Sequence, residues 1–199
     1  LVGSEMCIRD SVSIVGILNA DTMLNYPDFR SYERAFQLMA QVAGRAGRKN
    51  KQGLVILQTK SPDLPVIHQV MHNDYEQLYY DQLAERQMFK YPPYYRLIYV
   101  YLKHRKEDIL DLAADTMAAQ LRSGLGDRVL GPDKPPVARI QTLFIKKMIV
   151  KVEQNASIKK VRDYLLAVQR AILEDERFRS LLVYYDVDPV SYTHLRAHE

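Results

Sequence analysis

Two short apolar runs with a helical stripe between them constrain this chain more than any other feature. Ser13 to Ala20, SIVGILNA, is almost continuously apolar and ends at Asp21, while Leu54 to Thr59, LVILQT, follows the turn signal Gly53. Such runs have the pattern of strands buried on both faces of a parallel sheet. Between them, Asn25, Pro27 and Asp28 mark a loop, and from Ser31 the residues Phe36, Met39, Ala40 and Ala43 fall on one helical face. Strand, helix and strand in about fifty residues make a βαβ unit. Two strands are too few for a covered parallel sheet, so the unit reads as the tail of an α/β domain.

That helix closes on QVAGRAGR, Gln41 to Arg48. Gln37, Gln41, Arg45 and Arg48 share a second helical face, and Gly44 and Gly47 end the helix or let its last turn deform. Two guanidinium forks three residues apart suit phosphate oxygens, since each stays charged and donates several charge-assisted hydrogen bonds. Gln41 on the same face can orient a water or a neighbouring group. The pattern is read as lying on the carboxyl side of the α/β structure, where ligands usually bind. The competing reading is a pair of surface arginines that favour a helix C-terminus.

Further along, Pro65 to about Phe89 reads as one helix, with Ser61 or Asp63 available to cap it. KYPPYY, Lys90 to Tyr95, then breaks any helix, because proline lacks an amide donor and restricts the residue before it. A domain boundary is expected there, with residues 12–90 before it and 91–189 after. Beyond it come a strand, RLIYVYL; a helix marked by Ile109, Leu112, Ala113, Met117 and Leu121; the run ARIQTLFIKKMIVKVE, long enough for two strands or one bent one; a helix marked by Val161, Leu165, Val168 and Ile172; and a strand, SLLVYYDV. The β-α-β-β-α-β order predicts a small α+β domain. Fourteen tyrosines invite a base-stacking reading, Tyr91, Tyr94 and Tyr95 above all. Packing at a domain junction explains those three more simply.

Both ends, residues 1–11 and 190–199, look like translated adapter sequence and are set aside. His194 and His198, four apart, would suit a metal, but they lie in that tail without a third ligand, and no metal site is expected. The single cysteine, Cys7, excludes an internal disulfide. No apolar run reaches eighteen residues and no secretion signal is visible, so the expected location is the cytoplasm, away from membranes. A net charge of +4 suits a phosphate-bearing partner without requiring one.

QVAGRAGR resembles motif VI of the superfamily 2 helicases. DFRSYERAFQLMAQVAGRAGR, GLVILQT, ERQMFKYPPYYRL, VLGPDKPPVARIQTLFIKKMIVKVE and YYDVDP together resemble the C-terminal third of the bacterial primosomal replication-restart helicases, over nearly all of Val12 to Pro189. The resemblance implies the C-terminal part of a RecA-like helicase lobe followed by an α+β DNA-binding domain. It also implies a 3′-to-5′ DNA helicase that acts on branched or forked DNA, with primosome and single-strand-binding proteins as partners. Arg45 and Arg48 would be catalytic. Gln41, Gly44, Arg45 and Arg48 would contact ATP held, with Mg2+, mainly by another lobe. The sequence contains neither GxxxxGK[ST] nor DExH, and the family's zinc module is expected upstream, so this chain alone is expected not to hydrolyse ATP. Arg139, Lys146, Lys147, Lys151, Lys159 and Lys160 are candidate DNA contacts, with Arg162 beside them. The alternatives are a non-enzymatic DNA- or protein-binding module and a piece of another superfamily 2 translocase.

Overall fold

The structure, a computed structural model, describes residues 14–44, 46 and 53–189. The expectations made for the two tails, Cys7, Arg45, Gly47, Arg48, His194 and His198 lie outside the described residues. Contacts divide the chain into two compact units, Leu1–Arg86 and Gln87–Glu199.

In the first unit, strands β1 (Ile14–Ile17) and β2 (Leu54–Leu57) pair in parallel with Ile14 opposite Leu54. A short helix, α1 (Asp21–Leu24), follows β1 ahead of the loop expected at Asn25, Pro27 and Asp28, and α2 (Ser31–Ala43) completes the crossover. The core gathers Ile17, Ala20 and Leu24 with Ala35, Phe36 and Met39 of α2 and with Val66, Ile67 and Leu78. Among the described residues, Ile14, Leu54 and Ile56 of these strands are each more than half exposed.

The expected helix from Pro65 to Phe89 is two helices, α3 (Pro65–His72) and α4 (Tyr75–Met88). Asn73 adopts φ 54° and ψ 36° between them, a left-handed conformation that Asn accepts more readily than most residues. The Asp74 carboxylate then accepts the Gln77 amide at 3.0 Å and restarts the chain as helix. Neither Ser61 nor Asp63 caps α3. Leu64 holds the N-cap in extended geometry, and Pro65 supplies the first helical position with φ preset and no amide to satisfy.

The second unit is an antiparallel sheet in the order β4 (Val129–Asp133), β6 (Leu143–Glu153), β3 (Tyr95–His104), β7 (Leu182–Val187), with the two-residue strand β5 (Arg139–Ile140) also on β6. The ARIQTLFIKKMIVKVE run is thus a hairpin of unequal arms. Helices α5 (Glu107–Leu125) and α6 (Ile158–Leu173) pack on one sheet face. Ile98, Val100 and Leu102 of β3 and Met148, Val150 and Val152 of β6 meet them at every second residue, as strand geometry requires. Val161, Leu165, Val168 and Ile172 of α6 are all buried, as their spacing predicts. On α5 the buried stripe is Leu110, Ala113, Ala114, Met117, Ala118 and Leu121. Leu112, expected there, is 47% exposed, since the alanines let the helix approach the sheet on a different face.

β4 carries an irregularity between Leu130 and Asp133. Gly131 there has φ 90°, and a Cβ would stand 2.9 Å from the Lys147 carbonyl oxygen, so glycine is required on both counts. Arg122 Nη2 donates to the Gly131 carbonyl.

Candidate functional site

The helix that leads to the arginine motif is fully described as far as Gly44. Gln41 and Gly44 are both exposed at the end of α2, and the Gly44 amide donates to the Ala40 carbonyl at 2.9 Å. Gly44 has φ −63° and ψ −11°, right-handed values, so it ends the helix without using glycine's left-handed freedom. The next described strand after this helix is β2, which begins at Leu54. The expected carboxyl-side placement of Arg45 and Arg48 falls outside the described residues.

Asp21 joins the carboxyl ends of β1 and β2. Its carboxylate accepts the Thr59 hydroxyl at 2.7 Å and the Lys60 amide at 2.9 Å. The Thr59 bond first and the Lys60 amide second hold its carboxyl below the usual aspartate range. Because the folded-state value is depressed, this tie is complete above the ordinary value of 3.8 and is lost as pH falls through the lower folded one. Asp21→Asn leaves one acceptor oxygen where the pair uses two, and amide exchange at Lys60 is expected to accelerate. Unchanged protection, measured at neutral pH by NMR, would remove Asp21 from this role.

The six basic candidates of the second unit do not share one surface. Lys146 points to the helix side of β6, where Nζ lies 3.0 Å from an Asp111 carboxylate oxygen of α5. Lys147, its neighbour, points to the other face and stands 4.5 Å above the Tyr99 ring. Lys151 is only 8% exposed. Its Nζ donates to the Phe89 carbonyl at 2.6 Å and lies 3.9 Å from the Tyr91 ring centre. Desolvation pushes its ammonium pKa down, and the charge of Lys90 adds to the shift. Lys151 therefore holds its own polypeptide and is not presented to a ligand. Arg139 is exposed, stacked 4.8 Å from Phe144 and donating to the Gln141 carbonyl at 3.1 Å.

Lys159 and Lys160 are exposed in the first turn of α6, whose N-cap Ser157 accepts the Lys160 amide. Cations gain nothing from the dipole at a helix N-terminus, and the Lys160 and Val161 amides are already bonded to Ser157, so these lysines stand as exposed charges on the first turn. Arg162 is paired with Asp163 at 3.0 Å.

A further group escaped sequence reasoning. On the face of the sheet opposite the helices, Tyr99 and Tyr101 of β3 meet edge to face with centroids 6.2 Å apart, and Tyr101 stacks on Tyr184 of β7 at 5.6 Å. Lys103 Nζ lies 4.7 Å over Tyr184. Burial first, and the Asp186 carboxylate second, push the Tyr101 phenol upward, so it stays a neutral donor. The signal was present in the alternation Tyr99, Tyr101, Lys103; only the pairing with Tyr184, 81 or more positions away in order, required the fold. Tyr91, read as packing, is half-buried beneath the Lys151 ammonium.

Among the described residues no group of three or more His, Cys, Asp or Glu side chains could hold a metal ion, and no helix is long and apolar enough to cross a membrane.

Residues 87–190 match the family model described as "Primosomal protein N C-terminal domain". The replication restart protein PriA of Bacillus subtilis is 34% identical over 95% of this chain and 24% of its own length. That of Treponema pallidum is 35% identical over 96% of this chain and 29% of its own, and that of Chlamydia pneumoniae 41% over 49% and 14%. The chain thus spans about a quarter of the length of the first two relatives. With more than half of its residues inside the family model, the chain belongs to the primosomal protein N family, the replication restart proteins PriA.

Proposed function

We propose that this chain is the C-terminal part of an ATP-dependent 3′-to-5′ DNA helicase that acts in replication restart at stalled forks. One observation carries the reading: a single chain joins an exposed helix end leading into QVAGRAGR to a C-terminal unit that matches the primosomal protein N family. In this reading residues 12–90 belong to a RecA-like lobe and residues 91–189 bind DNA. Gln41 and Gly44, exposed on α2, fit a nucleotide's approach, and Arg45 and Arg48 would meet its phosphates. ATP and Mg2+ supply the phosphoryl chemistry in the complete protein, with zinc in an upstream module. Primosome and single-strand-binding proteins are the partners that this role implies, and the cytoplasm its location.

The part of the reading that this chain can carry alone is DNA binding. Lys159, Lys160 and Arg139 are exposed phosphate donors once Lys151 is assigned to the fold. Titration of the chain with forked DNA over a salt series is expected to give an affinity that falls steeply with salt. Lys159→Gln with Lys160→Gln should weaken binding on every DNA form and reduce the logarithmic salt slope by about 0.9 for each duplex phosphate contact removed. A chain that binds no DNA at low salt would leave the domain with a protein-binding role instead.

A further inference from the structure

We propose that the helix-free face of the second unit's sheet binds single-stranded nucleic acid, with Tyr99, Tyr101 and Tyr184 as the stacking row and Lys103 and Lys147 as the phosphate donors. The proposal rests on the DNA-binding reading above and gives it a strand type and a surface.

The face is set by register. Tyr101 lies opposite Lys147 on β6 and Tyr184 on β7, while Tyr99, one side-chain step along β3, lies opposite Ile149 and Asp186, so two rings pair across adjacent strands and a third continues the row along β3 on the same face. A solvated sheet face needs no such row. Tyr184 is 37% exposed, and Leu182 and Leu130 beside the row are 51% and 43% exposed. The stack at 5.6 Å and 27° presents its outer edge at Tyr184, where a base can extend it. Sequence-tolerant recognition of single strands combines such stacking with a cationic track along the backbone. Both lysines already rest on ring faces, at 4.7 Å over Tyr184 and 4.5 Å over Tyr99. A base that takes over the ring leaves each ammonium beside the base's own phosphate, which is the charge complementarity that favours nucleic acid over an apolar peptide.

The topology agrees with this use. Four antiparallel strands with both helices on one face occur in RNA-recognition modules, whose central-strand aromatics stack two or three bases. Duplex DNA, by contrast, keeps its bases stacked internally and offers the row only its phosphates.

The test uses the 199-residue chain with a labelled oligothymidine, a blunt duplex of equal length, and far-ultraviolet circular dichroism as the folding control. Tyr101→Leu and Tyr184→Leu are each expected to weaken oligothymidine binding by about tenfold or more and to leave duplex binding within about twofold. Tyr101→Phe, which keeps the ring, should bind as the parent does. Lys103→Gln should lower the single-strand salt slope by about 0.7. Should a leucine variant misfold, photocrosslinking of 5-iodouracil-substituted oligonucleotide to the parent chain replaces it, with adducts expected at Tyr101 or Tyr184. Folded leucine variants with parental single-strand affinity, or adducts confined to α6, would overturn the proposal. Binding to duplex but not to the single strand also overturns it and leaves DNA binding intact, whereas no binding to either form removes both.

Discussion

Arg45→Ala and Arg48→Ala, each built into the complete protein, are expected to lower DNA-stimulated ATP hydrolysis by about 10³- to 10⁵-fold while DNA affinity stays within a few-fold. The effect is this large because a guanidinium placed against a transferring γ-phosphoryl group stabilises charge that develops only in the transition state. Lysine at either position keeps the charge but loses the planar fork, so Arg→Lys should recover only a small part of the rate. Single-turnover hydrolysis, with and without forked DNA, separates this loss from weaker nucleotide binding. Parental turnover in both alanine variants would leave the arginines as ordinary helix-end cations.

Phe178→Ala is the substitution expected to cost most in stability. Phe178 sits in the 3₁₀ turn Glu176–Phe178 between α6 and β7, is 2% exposed, and packs in the same cluster as Met117, Leu121, Leu165 and Met148. Truncation of a buried phenylalanine costs about 3–5 kcal/mol, because the cavity collapses only in part. In a domain of about a hundred residues that lowers the melting temperature by roughly 15 °C or more. Arg177, whose guanidinium carbon lies 5.3 Å from the ring centre, loses its stacking surface as well. Calorimetry should show the transition of the second unit displaced and that of the first unchanged. A shift of a few degrees would mean that the turn does not anchor the core.

Much of the fold was legible because its elements carry regular periods. The α6 stripe from Val161 to Ile172 and the alternation through β3 and β6 follow directly from residue spacing. What was not legible depends on partners distant in the chain. Nothing local separates Leu112 from Leu110 as the buried leucine of α5; the alanines at 113, 114 and 118 decide it only once a sheet lies beneath them. Lys151 looks like any outward strand lysine until Phe89 and Tyr91 are seen to meet it. Among the basic candidates the sequence could count charges but not faces, so Lys146 and Lys147, adjacent in the chain, were grouped although they point to opposite sides of β6. The split at Asn73 was missed for a different reason: asparagine reads as ordinary helix surface unless its backbone angles are known.

The segment around the two prolines is fastened at two points, by Lys151 Nζ of β6 to the Phe89 carbonyl and by Gln154 Nε2, just past the end of β6, to the Pro93 carbonyl at 2.7 Å. Anyone excising the C-terminal domain for separate expression must therefore cut upstream of Phe89. A domain begun at Tyr91 would keep Lys151 and the ring beneath it and discard the Phe89 carbonyl that accepts from its ammonium group.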